Sequence, residues 1–139
     1  MMWSDCYVGL PFKHKGRDAR GLDCWGLVRL VLAEQKGVAL PAYDETDDVR
    51  AALAAAMQGG EWVSTHEPRE FDGVSMLAPL RINGKIEMVE KHVGIMAGPR
   101  HVLHIDEGRS SVCLPLDHAL IRHRLAGTWR HKSLVGSCP

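Results

Sequence analysis

The sequence predicts an α+β domain in which one cysteine-headed helix packs on a small antiparallel sheet. Apolar residues recur at helical spacing in the first part of the chain, and after Gly60 their period changes to two. The pair Asn83-Gly84 indicates a tight hairpin within this second part. Helices followed by a meander of strands are typical of an α+β architecture.

The central element is a helix predicted over residues 24–36, where the apolar side chains follow helical spacing. The side chain of Asp23 can accept hydrogen bonds from the free N–H groups of the first turn. Gly37 is suited to end the helix, because glycine readily adopts the left-handed conformation of a C-cap.

The other elements follow in chain order. A short helix or turn is expected over 3–10, a loop over 12–22, and a second helix over 45–58 that begins with an acidic cluster. Strands are predicted over 61–65, 72–79, 91–97, 101–105 and 112–114, then a helical turn over 116–123 and an edge strand over 127–130. We expect a single domain over 1–132 and a flexible tail over 133–139.

Composition narrows the class of protein. The chain has 139 residues, a formal net charge of zero and 45% apolar residues, as in globular domains. A balanced charge gives no support to binding of nucleic acid or of a membrane surface. No apolar run approaches the roughly 20 residues that span a bilayer, and residues 1–6 do not resemble a secretory signal. Synthesis in the cytoplasm is expected.

Cys24 lies where the predicted helix begins, at the positive end of the helix dipole. That position lowers a thiol pKa, so the local sequence is that of an activated nucleophile. The alternative is a buried structural cysteine, which is the commoner role of a lone cysteine. Cys6, Cys113 and Cys138 form no CxxC pair, and all four cysteines are expected to be reduced thiols.

A thiol nucleophile needs a base within hydrogen-bond reach and a third group that orients the base. His92 and His104 lie on consecutive predicted strands, and pairing about the turn at 98–100 brings them close together. Gly94 falls on the face of His92, where it leaves room for a helix end or a ligand. Cys24 as nucleophile, His92 as base and His104 as orienting group are therefore a possible set. A solvent-facing position is the alternative for His104.

A zinc site is another use of these histidines, because His92, His101 and His104 with a cysteine would supply suitable ligands. The spacing of His101 and His104 places their side chains on opposite faces of a strand, which argues against one shared ion. We therefore expect no metal. Surface positions are expected for the remaining histidines: His14, His66, His118, His123 and His131.

Three motifs occur in order within residues 7–130: Gly21-Leu22-Asp23-Cys24-Trp25-Gly26-Leu27-Val28, His92-Val93-Gly94-Ile95 and Val102-Leu103-His104. Their order and spacing resemble those of the NlpC-type cysteine peptidases, which are cell-wall hydrolases. The resemblance implies a papain-like fold with a nucleophile helix on Cys24, a catalytic-histidine strand on His92, and His104 at the family's third polar position.

The resemblance also implies cleavage of peptidoglycan stem peptides without a cofactor, typically between D-glutamate and the diamino acid. Trp25 and the segments 40–43 and 126–130 look like members encoded by bacteriophages and prophages, which are associated with the tail tip. The implied partners are therefore peptidoglycan peptides and phage tail-tip proteins. Such a protein is made in the cytoplasm and acts from the virion tail in the periplasm or cell wall.

Phe12, Asp23 and Trp25 are the substrate-binding positions that the resemblance implies. The family commonly has, at the position of Phe12, a tyrosine whose hydroxyl is thought to hold the oxyanion, and loss of one oxyanion donor costs roughly 10²–10³ in rate. Trp25 replaces the more usual serine and alters the substrate-facing side of the helix start. Tyr7 is a candidate replacement donor. The cations of residues 13–20 either meet acidic stem peptides or are simply solvated.

The sequence thus predicts a cysteine endopeptidase with a Cys-His-His triad that acts on peptidoglycan. Two alternatives use the same fold. One is a catalytically weak or inactive tail-assembly module, in which Cys24 is buried away from solvent and out of reach of His92. The other is a different thiol-acyl chemistry, such as that of an amidase, a transglutaminase or an acyltransferase.

Overall fold

The computed structural model describes residues 2–43 and 49–136, which form a helical layer and a six-stranded antiparallel sheet. The α+β class predicted from the sequence is confirmed. The elements in chain order are a 3₁₀ helix (Trp3–Tyr7), β1 (Arg17–Asp18), β2 (Gly21–Leu22), α1 (Cys24–Lys36), α2 (Val49–Gln58), β3 (Trp62–Thr65), β4 (Gly73–Ile82), β5 (Lys85–Met96), β6 (His101–His104), β7 (Val112–Pro115), β8 (Leu125–His131) and a 3₁₀ turn (Lys132–Leu134).

Helix α1 has the predicted bounds because both of its ends are capped. The Oδ1 atom of Asp23 accepts a hydrogen bond from the backbone N–H of Gly26 at 2.7 Å. At the other end Gly37 adopts a φ of 67°, and its N–H donates to the Ala33 carbonyl. One stripe of the helix is fully buried, and each of its side chains contributes about 1.5–3 kcal/mol of hydrophobic stabilisation: Leu27, Val28, Val31 and Leu32.

Helix α2 ends before Gly59-Gly60, as predicted. Its first described residue is Val49, and the acidic cluster predicted to open it falls at 44–48, outside the described residues. Neither α1 nor α2 has the length and apolar composition that a bilayer-crossing helix requires.

The strand order in the main sheet is β3-β8-β4-β5-β6-β7, so β8 lies inside the sheet. It pairs with β3 on one side, where Trp62 faces His131, and with β4 on the other, where Gly73 faces Trp129. The prediction of an edge strand over 127–130 is therefore wrong. The partners of β8 are distant in sequence, and a strand's own residues carry little signal of how many neighbours it has.

Strands β4 and β5 form the longest hairpin of the fold. Asn83 and Gly84 have φ angles of 50° and 78°, as the predicted type of tight turn requires. Both strands continue up to this turn, so β5 begins at Lys85 and not near 91. The outer half of the hairpin is exposed, including Ile86 and Met88. Burial therefore does not impose a clear alternation of apolar and polar residues from which the start of β5 could be predicted.

Two local predictions have different outcomes. The N–H groups of Ile121 and Arg122 both donate to the His118 carbonyl at 2.9 Å, which is consistent with a helical turn over 116–123. His131, in contrast, is buried and not at the surface. Its ring packs edge-on against Trp62, with the ring centroids 5.2 Å apart, and its Nδ1 atom hydrogen-bonds to Ser133.

The core has two parts, because side chains alternate across β5 and β6. Helix α1 packs on the first set of sheet residues: Val93, Ile95, Leu103 and Ile105. The second set is Val74, Met76, Met96, Val102 and Ile121. His92 and His104 follow the alternation of the second set along β5 and β6.

Candidate active site

Cys24 begins α1 and is buried, with 6% of its surface exposed. Burial is the largest influence on the thiol and, with the adjacent Asp23 carboxylate, raises the pKa of Cys24 to about 12. The nearby backbone N–H groups of Val93, Trp25 and Cys24 act in the opposite direction and partly offset this rise in the pKa. The expected lowering of the thiol pKa is therefore not found, because desolvation and the Asp23 charge outweigh the helix N-terminus.

His92 and His104 are in direct contact, as the strand pairing predicted. The Nε2 atom of His92 lies 3.0 Å from the Nδ1 atom of His104, and the rings meet edge-on. A Cβ atom on Gly94 would lie only 3.1 Å from the Cβ atom of His104. The nearest atom, Cγ2 of Val102, would lie at 2.7 Å, so the space left by Gly94 is occupied by β6, and not by a helix end or a ligand. His104 is buried, so its solvent-facing alternative is wrong.

Both imidazole rings are neutral near neutral pH. Burial is the largest influence on His92 and lowers its pKa to about 3, although the Asp106 carboxylate acts in the opposite direction. Burial also lowers the pKa of His104. Together with the raised pKa of Cys24, these shifts give a resting site with a neutral thiol and neutral imidazoles.

Asp106 is a component of the site that the sequence analysis missed. Its Oδ1 atom lies 3.5 Å from His92 Nε2, and its Oδ2 atom lies 3.9 Å from His104 Nδ1. Arg124 donates to both carboxylate oxygens, at 2.9 and 3.0 Å, and its Nε atom donates to the Leu77 carbonyl. The position of Asp106, two residues after His104, was a usable signal. The sequence offered no such signal for Arg124, because this residue lies in a turn region 18 positions after Asp106.

A metal ion is a poor fit to this cluster. The donor atoms of His92, His104 and Asp106 lie within 4.8 Å of one another, a spacing that an ion can bridge. Arg124, however, already donates to both oxygens of Asp106, and its fixed positive charge repels a cation. His101 is exposed whereas His104 is buried, so these two lie on opposite faces, as the strand alternation indicated. The cluster is better suited to proton transfer.

A pocket of about 1220 Å³ opens beside these groups. Five predicted site residues line it: Phe12, Asp23, Cys24, His92 and His104. The apolar residues of its lining include Ala78, Pro79, Leu80, Met88, Ile105, Val112, Leu114 and Leu120. Its charged and titratable lining comprises His14, Lys91, Asp106, Glu107, Arg109, His118 and Arg124 in addition to the predicted residues. The pocket therefore combines apolar side chains with both cationic and acidic groups in a lining that includes the thiol.

Trp25, a predicted substrate-binding residue, is absent from the described residues that line the pocket. It is buried, its Nε1 atom donates to the Pro41 carbonyl at 2.7 Å, and its ring packs against Tyr43. Trp25 thus holds the segment after α1 against the start of the helix.

Asp23 borders the pocket, but its carboxylate is engaged within the protein. Its Oδ1 atom caps α1 at Gly26 and also accepts from Arg17 Nη1 at 2.7 Å. Arg17 donates in turn to the Ala42 carbonyl at 2.8 Å. Asp23 and Arg17 therefore join the loop before α1, the helix cap and the segment after the helix.

Tyr7 does not supply the hydroxyl that Phe12 lacks. Its hydroxyl donates to Glu34 at 2.7 Å and accepts from Gln35, near the end of α1 remote from Cys24. At a rise of 1.5 Å per residue, Glu34 lies about 15 Å along the helix from Cys24. Of the loop over 13–20, the described residue that lines the pocket is His14, so the pocket gains no lysine or arginine from this loop.

Comparison with known proteins agrees with this geometry. The profile of the NlpC/P60 family matches residues 9–130. Among solved structures, the chain is similar to the NlpC/p60 domain of the peptidoglycan hydrolase SagA, with 18% sequence identity and a TM-score of 0.59. That alignment covers 91% of this chain and 92% of the SagA domain. No curated protein gives a match.

Two longer proteins share the fold. One is an NlpC/P60 family protein from Bacillus cereus ATCC 10987, with 20% identity, a TM-score of 0.61, and coverage of 92% of this chain and 37% of the other. The second is a protein similar to lipoprotein, of the NLP/P60 family, from Staphylococcus aureus subsp. aureus Mu50, with 19% identity and a TM-score of 0.58. That alignment covers 91% of this chain and 38% of the Staphylococcus aureus protein. Because the family profile spans most of the sequence and these folds agree with it, the chain belongs to the NlpC/P60 family, whose members are cysteine peptidases and hydrolases.

Proposed function

We propose that this chain is a cysteine endopeptidase that hydrolyses peptidoglycan stem peptides, at the bond between D-glutamate and the diamino acid. One observation carries the proposal: Cys24, His92 and His104 border a single pocket, with His92 Nε2 3.0 Å from His104 Nδ1. Membership of the NlpC/P60 family supports it. The similar domain from SagA belongs to a peptidoglycan hydrolase, which supports the same substrate class.

The chemistry assigned to each residue follows from the ring contact. His92 directs Nε2 towards His104, which leaves its Nδ1 atom to accept the proton of the Cys24 thiol. Both groups are neutral at rest, so the proton moves as the sulfur attacks the carbonyl carbon. His92 then protonates the leaving amine. Water hydrolyses the resulting thioester with His92 again as base, and His104 orients His92 throughout.

Stabilisation of the oxyanion is the weak point of this mechanism. The backbone N–H of Cys24 is one donor, but Phe12 lines the pocket without a hydroxyl. Loss of one oxyanion-hole donor typically costs roughly 10²–10³ in rate. We therefore expect slow turnover compared with an enzyme that has a tyrosine at this position.

A non-catalytic module on the same fold is the second candidate function. The burial of Cys24 and its raised pKa favour this candidate, whereas the pocket that Cys24 shares with His92 favours catalysis. Either candidate is compatible with a role at a phage tail tip and with action in the periplasm or cell wall. We include this phage role in the proposal only because Trp25 and segments 40–43 and 126–130 resemble those of phage-encoded members of the family.

Purified muropeptides separate the two candidates. The wild type is expected to split the stem peptide, and Cys24→Ala should reduce cleavage by about 10⁴-fold or more with little change in the thermal melt. Cys6→Ala is the matched control, because Cys6 is an exposed free thiol outside the pocket lining and its loss should leave cleavage intact. A wild type that cleaves no murein fragment would contradict the enzyme proposal. Products joined to an added amine would indicate acyl transfer instead of hydrolysis.

A further inference from the structure

We infer that Asp106, held by Arg124, is a positioning residue that selects the proton arrangement in which His92 can act as a base. Because it concerns the base of the proposed reaction, the inference rests on the proposed function. It is carried by the distances among four side chains that meet beside the pocket.

The contact between the two rings leaves room for one proton. His92 Nε2 and His104 Nδ1 are 3.0 Å apart, so one of them donates and the other accepts. If His92 Nε2 carries the proton, His92 Nδ1 has a free lone pair and can accept the thiol proton. If His104 Nδ1 carries it, the neutral His92 ring holds its own proton on Nδ1 and cannot act as a base. The tautomer therefore decides whether the site is competent.

Asp106 favours the competent tautomer because it lies closer to His92 than to His104. Its oxygens are 3.5 Å from His92 Nε2 and 3.9 Å from His104 Nδ1. Attraction between a carboxylate and an N–H group falls with distance, so a proton on His92 Nε2 is held more strongly. Arg124 donates to both oxygens and thereby prevents the carboxylate from rotating away.

The competent tautomer is unfavourable for His104 itself. It places the His104 proton on Nε2, a buried atom without a hydrogen-bond partner among the residues described. Orphaned buried N–H groups are rarer in proteins than under-satisfied acceptors, so the pair of rings alone would favour the other tautomer. A carboxylate beside His92 Nε2 is the kind of group that can reverse this preference.

The groups that act on His92 come from several elements. They are Lys91 on β5, His104 on β6, Asp106 after β6, Arg124 before β8, and Cys24 at the start of α1, which lines the same pocket. Asp106 raises the pKa of His92 against burial, whereas Arg124 and Lys91 lower it. Removing Asp106 should therefore make His92 less basic. Removing Arg124 takes away a charge that lowers the pKa of His92 but also frees the Asp106 carboxylate, so its net effect has no fixed sign.

Nitrogen-15 NMR of the histidine rings tests the inference without any substrate. In the folded wild type we expect His92 to be protonated on Nε2. In Asp106→Asn we expect a mixture with the form protonated on Nδ1, and Asp106→Glu, which keeps the charge, should restore the wild-type form. An Asp106→Asn protein that folds and keeps the wild-type ring signals would overturn the inference.

The pH profile of muropeptide cleavage is the second readout. Asp106→Asn should lower kcat by about tenfold with little change in KM, well short of the 10²–10⁴ that a general base contributes. Its acidic limb should move to lower pH, whereas Asp106→Glu, which keeps the charge, should keep the wild-type limb. An unshifted limb in Asp106→Asn, or an equal shift in Asp106→Glu, would contradict a positioning role.

A second aspartate–arginine pair in the chain supplies the control. Arg130 donates to both oxygens of Asp72 at 2.8 Å, as Arg124 does to Asp106, but this pair does not line the pocket. Asp72→Asn should lower Tm and leave the His92 tautomer unchanged; a changed tautomer would show that Asp106→Asn acts through general loosening. If the wild type cleaves no muropeptide, the proposed function fails, while the NMR result still decides the role of Asp106.

Discussion

Two aspartate–arginine pairs flank the candidate catalytic groups, Asp23 with Arg17 beside Cys24 and Asp106 with Arg124 beside His92. Each carboxylate raises the pKa of its reactive neighbour. On the cysteine side this hinders formation of the thiolate, whereas on the histidine side it strengthens the base. The same electrostatic effect thus has opposite consequences for the proposed reaction, because it acts on the proton donor in one case and on the proton acceptor in the other.

The pairs also differ in what they hold together. The side chain of Asp23 is 6% exposed, caps α1 and, through Arg17, fixes the segment after the helix. The side chain of Asp106 is 34% exposed, and Arg124 is its hydrogen-bond donor among the described residues. We infer that Asp23 serves mainly the fold, although it hinders ionisation of the thiol, and that Asp106 serves mainly the proposed active site.

The largest expected effect comes from breaking the pair on the cysteine side. Asp23→Ala removes the helix cap and leaves the largely buried Arg17 without its carboxylate, so unfolding free energy should fall by about 3–5 kcal/mol. Asp23→Asn keeps a capping oxygen and should lose about 1 kcal/mol less. Denaturant unfolding measures both. Asp106→Ala likewise removes the carboxylate beside a largely buried arginine but removes no helix cap, so its loss should be smaller by the roughly 1–2 kcal/mol of a cap. An equal loss would contradict the contrast between the two pairs.

An intermediate effect on stability is expected from acidification. It tests whether burial or the Asp106 charge has the larger influence on the pKa of His92. The folded-state pKa of His92, about 3, lies below its unfolded value. Between roughly pH 6.5 and pH 3 the unfolded chain therefore binds more protons, and stability falls as pH falls. The loss approaches about 1.4 kcal/mol per pH unit for this histidine.

Denaturant unfolding at several pH values measures this slope. His92→Gln is the control, because it removes the titrating ring and should flatten the slope by close to one proton. If stability instead rose on acidification and this rise disappeared in His92→Gln, Asp106 would outweigh burial, and the resting site would hold an imidazolium.

The smallest effect concerns the order in which the thiols react. Burial and Asp23 raise the pKa of Cys24 to about 12, so few Cys24 thiolates exist at pH 7. Iodoacetamide should therefore label the exposed Cys6 before Cys24 in the folded protein, as followed by mass spectrometry of peptides. Iodoacetamide should label Cys24 faster in Asp23→Asn than in the wild type. Labelling of Cys24 first would indicate a thiolate–imidazolium pair at rest.

Sequence reasoning recovers what local patterns encode. The bounds of α1 follow from Asp23 and Gly37, and the closeness of His92 and His104 follows from a turn and the strand period. It fails where distant segments meet. The interior position of β8 depends on β3, and the raised pKa of Cys24 depends on burial that no single stretch displays. Arg124 joins the site only through the folded arrangement of a turn region.

The placement of β8 has a consequence for the order of folding. Strand β3 pairs with β8 and, among the described strands, with no other. During synthesis β3 (Trp62–Thr65) precedes β8 (Leu125–His131) by about 60 residues, which is about 3–12 s of translation at typical rates. Arg124 is made just before β8. A stalled nascent chain would therefore present an unpaired strand edge, prone to aggregation, and would lack the arginine that holds Asp106, so closure of the sheet and completion of the site coincide.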